Sequence, residues 1–443
     1  MQTSPQITTA RLAYTLAVSL GAGAWSAETL AIVLRRRLPA AHQKYADAFG
    51  ASLAAQCPAA YAPSVPQIAK VLRGMTEFRR LYRYCQRHNL WPDPDLSPPQ
   101  MAPITAFQNL NLPQLASLDV LAEWLSLPLE KLSYFADPSS RHEEHGDMPV
   151  NHYHYHLHKK RRGGKRLIEA PKPALKAMQC QLLNQIINHV PLHPDAFGFV
   201  RGKNCLHAAA RHAGEAMVVR FDIQNFFPSI NAGRVFGLFR SLGYPHPVAT
   251  HLTGLCTTRT PTWMSERLNP SDRGIYHQSH LPQGAPTSPA LANLIAFSLD
   301  VRLAALARSV GAQYSRYADD LSFSGDRHIA GVLLHMVPKI LRDAGFAVNA
   351  RKTRLMSASG RQVITGVVVN QHLNTTRADY DMLKAVIHAC GKADDVRWRD
   401  AAFRGRLLGQ IAWVEQVSPT RGTALRKRLA RAIQRRNAHV RQT

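Results

Sequence analysis

The sequence predicts a chain of mixed helix and strand, with short strands confined to its middle and helical segments on both sides. Two sets of observations carry this reading. Met217-Val218-Val219-Arg220-Phe221, Gln313 to Arg316 and Leu321 to Ser324 read as short strands. Apolar residues recur at helical spacing at Leu118, Leu121 and Leu125, at Leu129, Leu132 and Phe135, and at Leu425, Leu429 and Ile433. With 443 residues the chain has room for two or three domains with ample core.

Residues 1 to 90 read as helices, among them basic ones over Val65 to Asn89, where Arg79, Arg80, Arg83 and Arg87 sit beside Tyr82 and Tyr84. A linker holding Pro92, Pro94, Pro98, Pro99 and Pro103 closes the segment. Leu12 to Leu34 is apolar enough to weigh as a signal or membrane segment. It contains Glu28 and several Ser and Thr, with only Arg11 ahead of it, so a core helix in a cytoplasmic protein is the expectation. Cys57, Cys85, Cys180, Cys205, Cys256 and Cys390 show no paired metal or redox spacing and fit reduced core residues. His152, His154, His156 and His158 would share one face of a strand, with Tyr153, Tyr155 and Leu157 opposite. An i, i+2 series points ligands along a line rather than around a tetrahedron, so a polar face is favoured over zinc. His142-Glu143-Glu144-His145 lacks the two-residue spacer of the zinc-protease helix and reads as loop.

Chemistry concentrates in three places. Tyr317-Ala318-Asp319-Asp320 sets two adjacent carboxylates near the tip of a hairpin, where like charges repel unless a hard divalent cation, Mg²⁺ above all, screens them. Alone, such a pair reads as a solvated turn. Asp222 follows the strand Met217 to Phe221, 97 residues earlier, and is itself either the start of a turn before Pro228 or a partner to Asp319 through metal. Three carboxylates from two strands are what a two-metal phosphoryl-transfer site needs. Between them, Leu281-Pro282-Gln283-Gly284-Ala285-Pro286-Thr287-Ser288-Pro289 opens an apolar helix through Ala290, Leu291, Leu294 and Leu299, with Ser288 expected as N-cap and Pro289 at the first helical position.

Taken together, Phe221-Asp222 through Ser229, the Leu-Pro-Gln-Gly loop and Tyr-Ala-Asp-Asp resemble the successive motifs of reverse transcriptases, in that family's order. Lys159 to Lys176 resembles the fingers segment that grips a triphosphate, His193 to Gly202 the loop before the first Asp, Asn349 to Thr353 the lysine-bearing motif, and Arg361 to Asn370 the hairpin joining palm to thumb. The likeness covers roughly residues 110 to 430 and is nearest to bacterial retron enzymes. Their Asn-Ala-x-x-His element reads Ala208-Ala209-Ala210-Arg211-His212 here, without the Asn, and their Val-Thr-Gly element reads Ile364-Thr365-Gly366.

The resemblance implies an α+β, right-hand polymerase fold: fingers, a palm with a small antiparallel sheet, and a helical thumb. Boundaries are expected at 1–103 for a helical N-terminal extension, 104–148 for a helical lead-in, 149–370 for fingers and palm, and 371–443 for a basic thumb. It implies that Asp222 and Asp319 carry two Mg²⁺ ions with help from Asp320, and that Arg166 and Gln283 position triphosphate and base. Lys352 would protonate the leaving pyrophosphate, and Phe227 would exclude a ribose 2′-hydroxyl. Implied partners are deoxynucleotides, a folded non-coding RNA that serves as template and primer, its branched RNA–DNA product (multicopy single-stranded DNA), and a separately encoded effector in anti-phage defence.

Charge agrees with a polyanionic partner. Lys plus Arg number 55 against 29 acidic residues, a net charge of +26. Eight basic residues stand against one Glu in Lys159 to Lys176, and ten against one in 401 to 443. Lys159, Lys160, Arg161, Arg162, Arg426, Lys427 and Arg428 are therefore expected nucleic-acid contacts, and the resemblance, through its Asn-Ala-x-x-His element, implies His212 as another. Two alternatives stay open: a group II intron-type or other defence-associated enzyme, against which little chain remains beyond the thumb for extra domains, and a scaffold that only binds RNA or an effector.

Overall fold

The computed structural model describes residues 7–21, 25–57, 63, 65–92, 100–137, 151–159, 164–392 and 394–440. Two compact units emerge, neither continuous in sequence: Met1–Pro191 with Asn225–Ile295, and Leu192–Gln224 with Ala296–Thr443.

The first unit opens with helices Thr9–Gly21, Ala27–Arg37, Ala46–Gln56, Val65–Gly74 and Thr76–His88 around a shared apolar core. Where one helix was expected over Leu12 to Leu34, two form. The second starts afresh because Ser26 is extended and its side chain accepts from the Thr29 N–H, while Glu28 and Arg35 to Arg37 match the dipole at its two ends. Among the described residues no single helix is long and apolar enough to cross a membrane. Helices Leu118–Trp124 and Leu129–Ala136 form as expected, burying Leu121 and Leu132.

Strands β1 (Tyr153–Lys159) and β2 (Lys165–Pro171) make an antiparallel hairpin in which His158 faces Arg166. His154, His156 and His158 lie exposed along one face, and among the described residues no His, Cys, Asp or Glu cluster is arranged to hold a metal. Lys160, Arg161, Arg162 and the His142 to His145 segment lie outside the described residues. Helix Ser288–Ile295 begins at Ser288 itself, so Ser288 is not its cap, and Leu299 belongs to a separate helix, Phe297–Ser309. The break falls at Ala296 (φ −80°, ψ 0°), where no Gly or Pro marks it in the sequence.

The second unit holds a four-stranded antiparallel sheet in the order β4 (Gln313–Tyr317), β5 (Asp320–Gly325), β3 (Met217–Asp222), β6 (Arg354–Ser357). β3 is an inner strand, and its Val218, Val219 and Phe221 are all buried, with Arg220 half-buried among them. Strands β7 (Val363–Ile364) and β8 (Val367–Val368) close a hairpin through Thr365 and Gly366. Helices Arg377–Cys390, Ala401–Val417 and Pro419–Val440 share a separate core that includes Leu407, Ile411, Val414, Leu425 and Leu429. Leu408, next to Leu407 in sequence, points outward at 44% exposure.

Candidate active site

Register in the sheet brings the acidic residues of the second unit together. Asp222, the last residue of β3, is the direct cross-strand partner of Asp320, the first of β5. Tyr317 pairs with Asp320, so Ala318 and Asp319 are a two-residue hairpin turn. The Ile223 N–H donates to the Asp319 carbonyl at 2.8 Å, and the Asn349 N–H to the Asp222 carbonyl at 2.8 Å. Like charges directly opposite on a sheet destabilise it, and the chain meets this charge with its own cations. Lys352 Nζ lies 2.7 Å from Asp222 Oδ2, and Arg220 Nη2 lies 2.9 Å from Asp320 Oδ1. Among the described residues no ion pair is made to Asp319, on which Lys352 acts more weakly than burial and the neighbouring carboxylates do. Burial, then Asp222 and Asp320, push its carboxyl up to about 6. Lys352 thus sits at the carboxylates.

The turn itself is strained and held from behind. Ala318 adopts φ +56°, the left-handed region in which a non-glycine residue is disfavoured by roughly 1 kcal/mol or more. Gly198 lies against it, and a Cβ there would stand 2.4 Å from the Ala318 nitrogen, so only glycine fits. Arg316, fully buried, donates from Nη1 to the Ala318 carbonyl at 3.2 Å. Its Nε and Nη2 grip both oxygens of Asp300, also fully buried, at 2.7 and 2.6 Å, and the Tyr314 hydroxyl donates to the same carboxylate at 2.8 Å. Nothing in the local sequence marks Asp300; for Arg316, a charged residue inside the β4 run was the available signal.

His212 corrects an expectation. It is fully buried, its ring bridging Ser315 Oγ and Ser324 Oγ at 2.7 Å each, so it crosses from β4 to β5 inside the protein and is not a nucleic-acid contact. Burial first, and the Arg211 charge second, lower its pKa to about 3, so it is neutral at pH 7. Arg426 is also engaged, its Nε and Nη2 paired with the Glu415 carboxylate at 2.6 to 3.0 Å. Lys159, Lys427 and Arg428 are exposed.

Arg166, Phe227 and Gln283 belong to the first unit. Arg166 is exposed on β2, and three residues on, the Glu169 N–H donates to the Gln283 carbonyl at 2.9 Å. Gly284 presses on the same strand at φ +139°, where a Cβ would stand 2.8 Å from the Glu169 carbonyl oxygen. Beneath lies a buried trio missed in the sequence. Glu169 accepts from Thr260 Oγ1 at 2.7 Å and stands 3.0 Å from His280 Nε2, whose other ring nitrogen meets the Gln278 carbonyl at 2.7 Å. Burial pulls the His280 pKa down, but Glu169 outweighs it and holds the ring above its ordinary value. Phe226 is buried at 4%, whereas Phe227 is half-buried with its ring 5.6 Å from that of Phe226.

Residues 157–395 match the model of the reverse transcriptase (RNA-dependent DNA polymerase) family. The chain belongs to that family. Within it the chain is similar to retron reverse transcriptases. It is 40% identical over 287 residues to the retron Mx65 enzyme of Myxococcus xanthus, covering 63% of this chain and 64% of that protein. It is 35% identical to the retron Mx162 enzyme of the same organism over 71% of this chain and 66% of that one, and 33% identical to the retron Ec86 enzyme of Escherichia coli over 52% and 68%. The chain thus spans just under two thirds of the first two relatives. A solved foamy viral protease-reverse transcriptase, in complex with double-stranded DNA, overlaps 76% of this chain and 49% of its own at 15% identity, with a TM-score of 0.34.

Among the described residues no three acidic or metal-binding side chains stand ready-made around an ion. The donor chemistry nevertheless fits one. Asp222, Asp319 and Asp320 offer hard oxygens, and the raised Asp319 carboxyl marks a place where added positive charge stabilises the ionised form.

Proposed function

We propose that the protein is an RNA-directed DNA polymerase of the retron type, copying a structured non-coding RNA into branched RNA–DNA. The observation that carries this is the meeting of Asp222 and Asp320 across β3 and β5 beside the Asp319 turn, in a chain of this family. In this reading the four-stranded sheet is the palm, the β1–β2 hairpin part of the fingers and the three helices after Arg377 the thumb. Cytoplasmic placement follows from the need for nucleotides. A defence role with an effector rests on the family resemblance alone.

Asp222, Asp319 and Asp320 would hold two Mg²⁺ ions, which lower the pKa of an attacking hydroxyl and stabilise the leaving oxygen. The chain's own residues do the rest. Lys352 would give a proton from Nζ to the leaving pyrophosphate, and its present hold on Asp222 keeps it at that place. Arg166 would bind the triphosphate, and Gln283, on a loop fixed by Gly284 and the Glu169–His280 pair, would orient the base. Exposed Lys159, Lys427 and Arg428 would hold backbone phosphates. The purified protein should extend a DNA primer on an RNA template with deoxynucleotides, and chelation of divalent cations should stop it reversibly. Template copying that survives exhaustive chelation would sink the reading.

Phe227 would be the sugar gate, because its ring is half-buried while neighbouring Phe226 is the one in the core. Phe227→Val is expected to raise ribonucleotide relative to deoxynucleotide incorporation, with discrimination falling by at most about 1 to 3 kcal/mol. A variant that loses about 1 to 4 kcal/mol of stability, yet still rejects ribonucleotides as wild type does, would make Phe227 a packing residue instead. Single-nucleotide incorporation with matched substrates, alongside thermal melting, separates the two.

A further inference from the structure

The helices before residue 92 play no part in the reading above. They hold together through their own core from Leu12 to Cys85. Helix Thr76–His88 gives that core Phe78, Leu81 and Cys85. At about 100° per residue, Arg79, Arg83, Arg87 and Arg80 fall within an arc of roughly 100° on the far side, and all four are exposed. Glu77, the helix's one carboxylate, lies outside the arc. No carboxylate among the described residues pairs with these arginines. Arg79 with Arg83, and Arg83 with Arg87, are like-charge i, i+4 pairs that weaken a helix standing alone in water.

Aromatic rings border the arc on both sides. Tyr82 and Trp91, both half-buried, meet at 5.8 Å with their rings tilted by 58° on one side. On the other, Tyr84 lies between His42 at 4.5 Å and His88 at 4.4 Å. A cleft of about 210 Å³, lined by Thr9, Arg73, Phe78, Arg79, Tyr82 and Arg83, opens at the arc's edge. Guanidinium groups for phosphates, with rings beside them for unstacked bases, are the chemistry by which proteins hold single-stranded RNA. A membrane-surface helix would instead need an apolar face free to enter lipid, and here that face is spent on the core.

We propose that the arginine face of helix Thr76–His88, with its adjoining cleft, is a second RNA site that takes an unpaired segment. This rests on the reading of the protein as an RNA-copying enzyme, but its test does not require synthesis. The probe is a fluorescent oligouridylate titrated with full-length protein over a salt series. Arg79→Gln/Arg83→Gln/Arg87→Gln should weaken binding and lower the log–log salt slope by about 2, at about 0.7 per lost contact. The matching triple Lys variant should restore the slope, and extension of a pre-annealed template–primer should stay at the wild-type rate. In the wild-type protein, 4-thiouridine in the same probe should cross-link within residues 76–92, a readout that needs no variant to fold. An unchanged slope in a folded triple variant, cross-links confined to other segments, or equal competition by polyglutamate or phosphatidylserine vesicles would overturn the site. Cross-linking at 76–92 by a protein that fails to extend primers would overturn the polymerase reading and leave this one standing.

Discussion

Asp319→Asn is expected to abolish DNA synthesis while leaving the protein folded. The amide keeps the shape of the side chain and removes a charged oxygen donor from the group that would hold metal. It should also raise stability in metal-free buffer at neutral pH. The folded protein holds the Asp319 carboxyl at about 6, above its unfolded value, through burial and the charges of Asp222 and Asp320. A carboxyl with a raised folded pKa weakens the fold where it must be ionised. That penalty is full above pH 6, fades as pH falls toward 4, and is absent below. At a half-buried position it amounts to on the order of 1 to 2 kcal/mol. The Asn variant should therefore melt higher than wild type at neutral pH, with the gain shrinking between pH 6 and 4. Synthesis near the wild-type rate would remove Asp319 from the site, and a pH-independent melting difference would remove the repulsion.

What the sequence shows of this protein is what neighbouring residues decide. The hairpin at Ala318 and Asp319, the strand ending in Asp222 and the helices after Arg377 are each set by runs of a few residues, and all are present in the fold. Partnerships across long separations are not written locally. Glu169 and His280 are 111 residues apart, and His212 lies more than 100 from the two serines it bridges. In a chain with 55 Lys and Arg, a basic residue reads as surface unless its partner is known. Arg316 and His212 were hidden for that reason. The break at Ala296 escaped because apolar periodicity runs unbroken across it, and only backbone geometry records the end of one helix and the start of the next.

Arg316→Met should be among the most destabilising single changes in the second unit. Arg316 and Asp300 are both without solvent exposure. Removing the guanidinium leaves the Asp300 carboxylate buried with the Tyr314 hydroxyl as its remaining donor of those described above. Breaking a buried pair in this way costs about 3 to 5 kcal/mol, a large share of the roughly 5 to 15 kcal/mol that holds a domain folded. Because replacing both charges by apolar groups is often neutral, Arg316→Met/Asp300→Leu should recover most of the lost stability. Recovery of activity is a separate matter. The double variant still lacks the donor to the Ala318 carbonyl, so the strained turn that carries Asp319 loses its support from behind. Thermal melting of wild type, single and double variants, with primer extension measured where all three are folded, should give a double variant that is stable and slow. A single variant as stable as wild type would contradict the buried pair, and a double variant with full activity would show that the Ala318 turn holds its shape without Arg316.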